Sequence, residues 1–281
     1  MDTFCTFVQI IYELKKTKKY EYIDDYLLNI RSNGRFSFTF EELKNTFNSS
    51  EQALRKKITR LNADKKIAII RKDFYVILSP EYTERGCLPI YLYIDDLMKY
   101  LERDYYIGLY SAAALYGAAH QQPMEYQIVV QKLIRNFVAG DTKINFFSRK
   151  TWEQAYIEKK KSAAGYFNVS SPELTALDFM SFNGKIGNIS RVVTILEELI
   201  EEIKPSQMYK AACTYPQNSA LQRLGYLFDK IYKRDDLAKS IKRALNRRTL
   251  QNIVLGISSP KKGNIDRDWK VDVNVDIKSD L

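Results

Sequence analysis

The part of the chain that decides its N-terminal fold is Thr39–Leu78, which reads TFEELKNTFNSSEQALRKKITRLNADKKIAIIRKDFYVIL. Thr39 and Glu42 have the spacing of a capping box, in which a hydroxyl and a carboxylate satisfy the free backbone groups at a helix start. Ser49 and Gln52 repeat that spacing further along. The stretch therefore predicts two consecutive short helices, the first starting after Thr39 and the second after Ser49.

The second predicted helix has two unlike sides. Leu54, Ile58 and Leu61 recur at helical spacing and predict the buried side. The opposite side contains no carboxylate and consists of Gln52, Arg55, Lys56, Thr59 and Arg60. This pattern indicates a helix that packs on one side and presents a cationic surface on the other.

A β-hairpin is predicted after the second helix. Ile67–Ile70 and Tyr75–Leu78 are β-branched or aromatic runs, and residues 71–73 (RKD) supply a polar turn between them. Ile23–Arg31 is predicted as a further helix of the same domain. The order of a helix, a turn, a basic helix and a basic-tipped hairpin predicts a winged helix-turn-helix.

The chemistry of this segment favours double-stranded DNA as its partner. A major groove admits one α-helix whose first residues reach base edges, while a second element contacts the backbone. Gln52 can pair with adenine and Arg55 with guanine, whereas the lysines neutralise phosphates. Between Lys44 and Asp73 there are nine basic and three acidic residues. A solvated basic face on an ordinary helical hairpin, or a protein-docking module, remains an alternative. The predicted DNA-binding residues are Ser50, Gln52, Arg55, Lys56, Thr59, Arg60, Lys66, Arg71 and Lys72.

Length, charge and cysteine content narrow the class of protein. The 281 residues are enough for two domains, and the formal net charge of +10 favours acidic partners such as nucleic acid. Cys5, Cys87 and Cys213 are scattered and odd in number, which favours a reducing compartment; with His120 they are too few for a zinc site. No apolar run is long enough to span a membrane, and the N-terminal residues lack the pattern of a secretory signal. We therefore expect a cytoplasmic protein without a membrane partner.

A domain boundary is predicted at Ser79–Pro89, where proline and glycine interrupt the chain and the composition changes. We assign residues 1–79 to the winged helix-turn-helix domain and residues 80–281 to a second, mixed α/β domain. Trp269–Ile277 alternates strictly between apolar and polar residues and predicts a half-buried strand. Helices are predicted before it, so the whole chain is expected to be α+β with a helical C-terminal part.

A second group of basic residues lies in that helical part. Between Lys230 and Arg248, eight basic residues accompany two acidic ones. A solvated helix face and a second surface for nucleic acid or a partner explain this pattern equally well. The residues of this possible second basic surface are Lys233, Arg234, Lys239, Lys242, Arg243, Arg247 and Arg248.

Acidic residues of the second domain have simple structural interpretations. Glu173 and Asp178 follow a Ser-Pro helix start; we interpret them as part of a helix cap and a surface acid, because no nucleophile or metal ligand accompanies them. Asp141, Glu158 and Lys160 loosely match the acid-x-Lys pattern of metal-dependent nucleases. We expect no enzymatic activity and no catalytic, metal or cofactor site, and keep a metal-dependent nuclease as the alternative.

Short motifs in the chain resemble the AbiEi-type antitoxins of abortive-infection type IV toxin–antitoxin systems. Ser111–Leu115 (SAAAL) is similar to the family's S-A-L-x-x-x-G helix, and residues 171–178 (SPELTALD) resemble its S/T-P-E-R-T-x-x-D segment. Leu174 stands at the basic position of that segment. Residues 71–77 (RKDFYVI) resemble the family's R-x-G-x-Y wing, with Asp73 in place of glycine. The terminal run RDWKVDVNVDI is similar to the family's closing strand.

This resemblance implies an N-terminal winged helix and a C-terminal α/β antitoxin domain. Family members repress their own operon by binding inverted repeats at its promoter, and counteract a toxin of the nucleotidyltransferase class without forming a tight complex as a rule. We therefore expect an antitoxin that is also a DNA-binding autorepressor with a role in phage defence. A winged-helix regulator whose second domain senses a ligand is a further alternative.

Overall fold

The computed structural model of the protein describes residues 20–118, 125–259 and 262–277. The amphipathic sequence of residues 2–19 predicts a helix, but these residues, Cys5 among them, lie outside the described residues, as does His120. The first of two compact units comprises Met1–Leu101, Ala139–Asp141 and Lys161–Gly165; the second comprises Glu102–Val138, Thr142–Lys160 and Tyr166–Leu281. The expected mixture of helices and sheets is confirmed.

The first unit consists of four α-helices and a small sheet within its described residues. Its elements are α1 (Ile23–Ser32), β1 (Ser37–Thr39), α2 (Phe40–Thr46), α3 (Glu51–Ala63), β2 (Ile67–Arg71), β3 (Phe74–Ile77) and α4 (Ile94–Tyr100). The strands form one antiparallel sheet in the order β1-β3-β2. The predicted helix over Ile23–Arg31, the two consecutive helices and the hairpin are therefore present.

Side-chain caps fix where α2 and α3 begin. The Thr39 hydroxyl accepts from the backbone N–H of Glu42, whose carboxylate accepts from the N–H of Thr39 at 2.7 Å, so the predicted capping box is confirmed. The prediction for α3 is wrong by one residue. Its cap is Ser50, not Ser49, because the Ser50 hydroxyl is placed to accept from the N–H of Ala53.

Strand β1 is an element that the sequence pattern did not predict. Its three residues pair with β3, for example Phe38 with Tyr75, and a run this short has no readable periodicity. Phe38 is fully buried and stacks on Tyr75 with ring centroids 5.2 Å apart. The core beneath the sheet consists of Ile23, Tyr26, Leu27, Ile30, Phe38, Phe40, Leu43, Phe47, Leu54, Ile58, Leu61, Ile67, Tyr75 and Ile77.

The tip of the β2–β3 hairpin has an unusual backbone. The pairing register shifts between Ile69 and Arg71, and Asp73 has a φ of 60°, in the left-handed region. Glycine adopts that conformation without strain, and aspartate tolerates it better than most residues. Aspartate also adds a carboxylate at the tip, which accepts a hydrogen bond from Arg55 of α3.

The segment after the hairpin belongs to the same compact unit. Asp96 of α4 accepts a hydrogen bond from the Ser37 hydroxyl at 2.6 Å. The hydroxyl of Tyr100 donates to the carbonyl of Lys72, and its ring lies 5.4 Å from that of Phe74. The first unit thus extends to Leu101, past the predicted boundary at residue 79, because α4 packs on the sheet.

The second unit combines one larger sheet, a helical layer and a small C-terminal sheet. The elements that lie wholly or mainly in it are β4 (Tyr105–Ile107), α5 (Leu109–Leu115), β5 (Glu125–Val130), β6 (Phe137–Ala139), β7 (Thr142–Ser148), β8 (Ile157–Ser162), β9 (Gly165–Ser170), α6 (Pro172–Ser181), α7 (Ile189–Leu199), α8 (Pro205–Thr214), α9 (Asn218–Tyr226), α10 (Asp235–Leu245), β10 (Ile253–Val254), β11 (Asn264–Asp266) and β12 (Val271–Val273). The six-stranded sheet has the order β6-β7-β5-β4-β9-β8. In the described ranges no helix combines the length and apolar character needed to cross a bilayer.

Helix α6 is the centre of the second unit. Every residue from Pro172 to Met180 is buried, and the helix packs against α5, α7, α8 and α9. A helix enclosed on all sides must satisfy each of its polar groups internally, since none of them reaches water. The polar residues of α6 therefore have specific partners within the protein.

The C-terminal strand is shorter than predicted. Only Val271–Val273 of the alternating run forms strand β12, between β10 and β11. Trp269 precedes it and lies against Gly225 of α9, where a Cβ atom would fall 2.0 Å from the indole ring. Its indole N–H donates to Asp229 at 2.8 Å. The run is thus anchored by one buried indole as well as by strand pairing.

Candidate nucleic-acid interface and buried charge cluster

Helix α3 has one buried and one exposed side, as its sequence predicts. Leu54, Ile58 and Leu61 are buried in the core of the first unit. The opposite side is exposed and consists of Gln52, Arg55, Lys56, Thr59 and Arg60. Ser50, at the helix start, is also exposed. This surface is the candidate nucleic-acid interface.

Arg55 is not a free cation on this surface. Its Nε and Nη2 atoms lie 3.0 and 2.8 Å from Oε1 of Glu51, and its Nη1 lies 3.1 Å from Oδ1 of Asp73. Hydrogen bonds to Glu51 and then to Asp73 raise the pKa of Arg55. The carboxylate-free side predicted for the helix thus receives two carboxylates, one from its own first turn and one from the hairpin.

The other residues predicted to contact DNA differ in their exposure and in whether another residue of the protein already pairs with them. Lys56, Arg60 and Lys72 are exposed, and none of them forms an ion pair with a described residue. Lys66 lies 2.6 Å from Asp24, and this hydrogen bond is the largest cause of the lowered pKa of Asp24. Thr59 and Arg71 are less available for contacts with DNA. The hydroxyl of Thr59 donates to the Arg55 carbonyl, and Arg71 is half-buried.

Most members of the possible second basic surface have partners within the second unit. Arg234 pairs with Asp236 at 3.0 Å, and the Lys242 ammonium lies 4.8 Å from the centre of the Trp269 ring. Arg243 stacks over Tyr209. Lys233, Lys239 and Arg247 are exposed. Contacts of this kind are typical of basic side chains that pack along a helical surface.

Arg248 has a structural task at the end of α8. Its guanidinium donates to the carbonyls of Ala212, Cys213 and Tyr215 at 2.6–2.9 Å, and to the side chain of Asn218 at 3.1 Å. The last carbonyls of a helix have no partners within the helix, so a cation here satisfies them and opposes the negative end of the helix dipole. Arg248 therefore acts as a C-terminal cap of α8.

We expect Arg248→Lys to lower the free energy of unfolding by about 1–3 kcal/mol, because a lysine keeps the charge but cannot reach four acceptors at once. Urea unfolding followed by circular dichroism measures this change. The matched control is Arg247→Lys, since Arg247 is the exposed neighbour. Equal stability of the two variants would contradict the capping role.

Asp178 lies at the centre of a buried charge cluster that it forms with Arg149, Tyr106 and Tyr215. Its Oδ1 is 2.7 Å from Nη2 of Arg149 and accepts from the Tyr215 hydroxyl at 3.0 Å, while Oδ2 accepts from the Tyr106 hydroxyl at 2.7 Å. Burial raises the pKa of Asp178, whereas Arg149 and both hydroxyls stabilise its charged form. The side chain is 0% exposed, so its interpretation as a surface acid is wrong.

The other polar residues of the SPELTALD segment are also used inside the protein. The Ser171 hydroxyl accepts from the N–H of Leu174 and so caps α6. The Thr175 hydroxyl lies 2.7 Å from that of Ser170, and Glu173 accepts from the N–H of Lys204 at the start of α8. This segment therefore carries the polar groups that fix α6 among its neighbours.

Arg149, Tyr106 and Tyr215 are site residues that sequence reasoning missed. Tyr106 and Asp178 are 72 positions apart, and nothing in the local pattern links them. A weak signal exists in Asp178 itself, because an acid on an otherwise apolar helix requires a buried partner. The identity of that partner follows from the tertiary structure alone.

Glu158 and Lys160, two of the residues of the nuclease alternative, have hydrogen-bond partners within the second unit. The Tyr116 hydroxyl donates to Glu158 at 2.8 Å, and Lys160 donates to the Leu115 carbonyl at the end of α5. Burial lowers the pKa of Lys160. The described part of the chain contains no group of three or more His, Cys, Asp or Glu side chains that could hold a metal ion.

Two cavities bear on the ligand-sensing alternative. One of about 100 Å³ lies beside Arg149, Trp152 and Tyr156. Another of about 530 Å³ lies between the loop around Asn183–Asn188 and the C-terminal segment near Ser258. The larger volume is within the range of small-molecule pockets, and ligand sensing stays a prediction.

The architecture thus defines a mixed α+β protein whose second unit is built around one buried helix, α6. Residues 106–230, which include α6, match the family model described as "AbiEi antitoxin C-terminal domain". The resemblance noted in the sequence is confirmed over these residues, and the match supports an antitoxin role. A comparison with curated protein sequences gives no match.

The solved structures that the chain resembles have low sequence identity. The RV2827C protein from Mycobacterium tuberculosis matches with a TM-score of 0.62 and 13% identity, over 88% of this chain and 89% of that chain. At this identity the likeness concerns the fold alone. An antigenic nucleotidyltransferase-like protein from Paracoccidioides brasiliensis matches with a TM-score of 0.38 and 13% identity, over 59% of this chain and 94% of that chain. A TM-score this low does not indicate a shared fold.

Proposed function

We propose that the protein is a type IV antitoxin and that its first unit is a winged helix-turn-helix through which it represses its own operon. Its DNA partner is the inverted-repeat sequence at its own promoter, in the cytoplasm. Its functional partner is a nucleotidyltransferase-type toxin, which it counteracts without a tight complex. We further propose that it catalyses no reaction itself.

The order of elements in the first unit supports this proposal. The unit has a helix, a strand, two helices and a two-stranded hairpin to which the first strand is added, and this order agrees with that expected for a winged helix. In helix-turn-helix proteins the second helix of the motif enters the major groove, which here is α3. The hairpin then corresponds to the wing.

One observation carries the DNA-binding part of the proposal. The exposed side of α3 and the hairpin tip together present Lys56, Arg60 and Lys72, and none of the three is neutralised by a described residue. Duplex DNA attracts such a surface because each phosphate that it neutralises releases a condensed counterion. A buried or internally paired surface would lack this driving force.

Arg55→Ala tests the proposed contact with a base, and Lys72→Ala tests the proposed contact with a phosphate. Arg55→Ala should weaken binding to the promoter by about 10- to 100-fold and relax specificity at one base pair. Lys72→Ala should weaken binding to all sequences alike and reduce the slope of log K against log salt by about 0.9. Both are measured by fluorescence anisotropy, with Lys239→Ala in the second unit as control. If neither variant differs from the control, α3 and the hairpin do not contact DNA.

A further inference from the structure

The side chain of Arg55 is held from several directions. Glu51 accepts from Nε and Nη2, and Asp73 accepts from Nη1. The guanidinium carbon lies 4.0 Å from the ring centroid of Phe40, which is itself buried. An exposed arginine ordinarily samples many rotamers, and these contacts from separate elements restrict it to few of them.

The contacts leave two donors of Arg55 available. A guanidinium has five N–H groups, and the bonds to Glu51 and Asp73 use three of them. One N–H on each terminal nitrogen has no acceptor among the described residues. Two donors on one guanidinium match O6 and N7 of guanine, the two acceptors that this base presents in the major groove.

The charge of the group disfavours a phosphate as its ligand. Two carboxylates lie within 3.1 Å of the Arg55 guanidinium, so its positive charge is already compensated within the protein, and Lys44, 3.8 Å from Glu51, offsets the remaining negative charge. A phosphate therefore gains little from the charge of Arg55, whereas the uncharged edge of a base requires only the two remaining N–H donors. The group is therefore better suited to a base than to the DNA backbone.

We propose that Glu51 and Asp73 are positioning residues that orient Arg55 to read a guanine base and weaken its attraction for phosphate. This inference rests on the DNA-binding function proposed above. Asp73 lies at the hairpin tip, so the hairpin takes part in base recognition without contacting a base. The left-handed conformation of Asp73 brings its carboxylate to α3, a contact that glycine at this position would lack.

The test uses the full-length protein and selects bound duplexes from a random pool. The variants are Glu51→Gln, Asp73→Asn and the double variant, because asparagine also tolerates the left-handed region at residue 73. Asp64→Asn is the control: Asp64 is exposed at the end of the same helix and does not contact Arg55. Thermal unfolding shows whether each variant remains folded.

The wild-type protein should prefer guanine at one position by about 10- to 100-fold. The double variant should lose most of that preference while its affinity for unrelated duplexes rises, and Asp64→Asn should raise the affinity without changing the preference. If the double variant keeps the guanine preference, the acids do not position Arg55 and the inference is wrong while DNA binding stands. If the wild-type protein binds no duplex, the proposed DNA-binding function and this inference fail together.

Discussion

Asp178→Asn should lower the free energy of unfolding of the second unit by about 3–5 kcal/mol, because it leaves the charge of Arg149 buried and unpaired. The Arg149 side chain is 10% exposed and Asp178 is its ion-pair partner at 2.7 Å. Asparagine has the same shape as aspartate, so the loss comes from charge and not from a cavity. A change of this size is large beside the 5–15 kcal/mol by which typical domains are stable.

Tryptophan fluorescence during urea unfolding measures this effect selectively. The chain has two tryptophans, Trp152 and Trp269, and both belong to the second unit. Trp152 contacts the ring of Tyr106 at 5.1 Å and so reports on the buried charge cluster itself. The fluorescence transition therefore follows the unit that contains Asp178.

Further variants separate the charge of Asp178 from its hydrogen bonds. Tyr106→Phe removes one hydroxyl and should lower the free energy of unfolding by about 1–3 kcal/mol.

The double variant Arg149→Gln, Asp178→Asn should lower the free energy of unfolding by less than the sum of the two single changes, since no lone charge then remains. Asp104→Asn, an exposed acid in the same unit, is the control. A loss for Asp178→Asn no greater than for this control would show that the ion pair does not stabilise the unit.

The triple variant Lys56→Glu, Arg60→Glu and Lys72→Glu should weaken promoter binding by on the order of a thousandfold, because three phosphate contacts become repulsive. The three residues project from α3 and the hairpin into solvent, so the first unit is expected to remain folded. Fluorescence anisotropy over a series of salt concentrations measures both the affinity and the salt slope. The slope should shrink by about 0.9 for each phosphate contact that is lost.

The matched control for this variant reverses three lysines of the second unit, Lys132, Lys150 and Lys185, which are also exposed. Its net charge changes by the same amount, so any general effect of charge on DNA binding is equal in the two variants. An equal loss of promoter binding in both would contradict the proposed interface.

Co-expression with the toxin adds a second readout. An antitoxin function located in the second unit should survive in the triple variant, because its three substitutions lie in the first unit.

Local sequence patterns correctly predicted several elements of the fold. The capping box at Thr39 and the apolar stripe of α3 are present, because both depend on residues within one or two helical turns of each other. The position of the second cap was wrong by one residue, since Ser49 and Ser50 offer the same hydroxyl. Short strands such as β1 and β9 were missed, because an isolated three- to six-residue run does not show whether a partner strand exists.

The sequence by itself determined that α3 has a cationic side, that a hairpin follows it, and that residues 171–178 form a distinctive helix start. These features depend on residues that are neighbours along the chain. The tertiary structure alone decided that Asp73 and Glu51 hold Arg55, that Arg248 caps α8, and that Asp178 meets Arg149 in the core. The reason is physical: an exposed or buried charge finds its partner through the packing of distant elements, and the burial that fixes the strength of that pair exists only after they have packed.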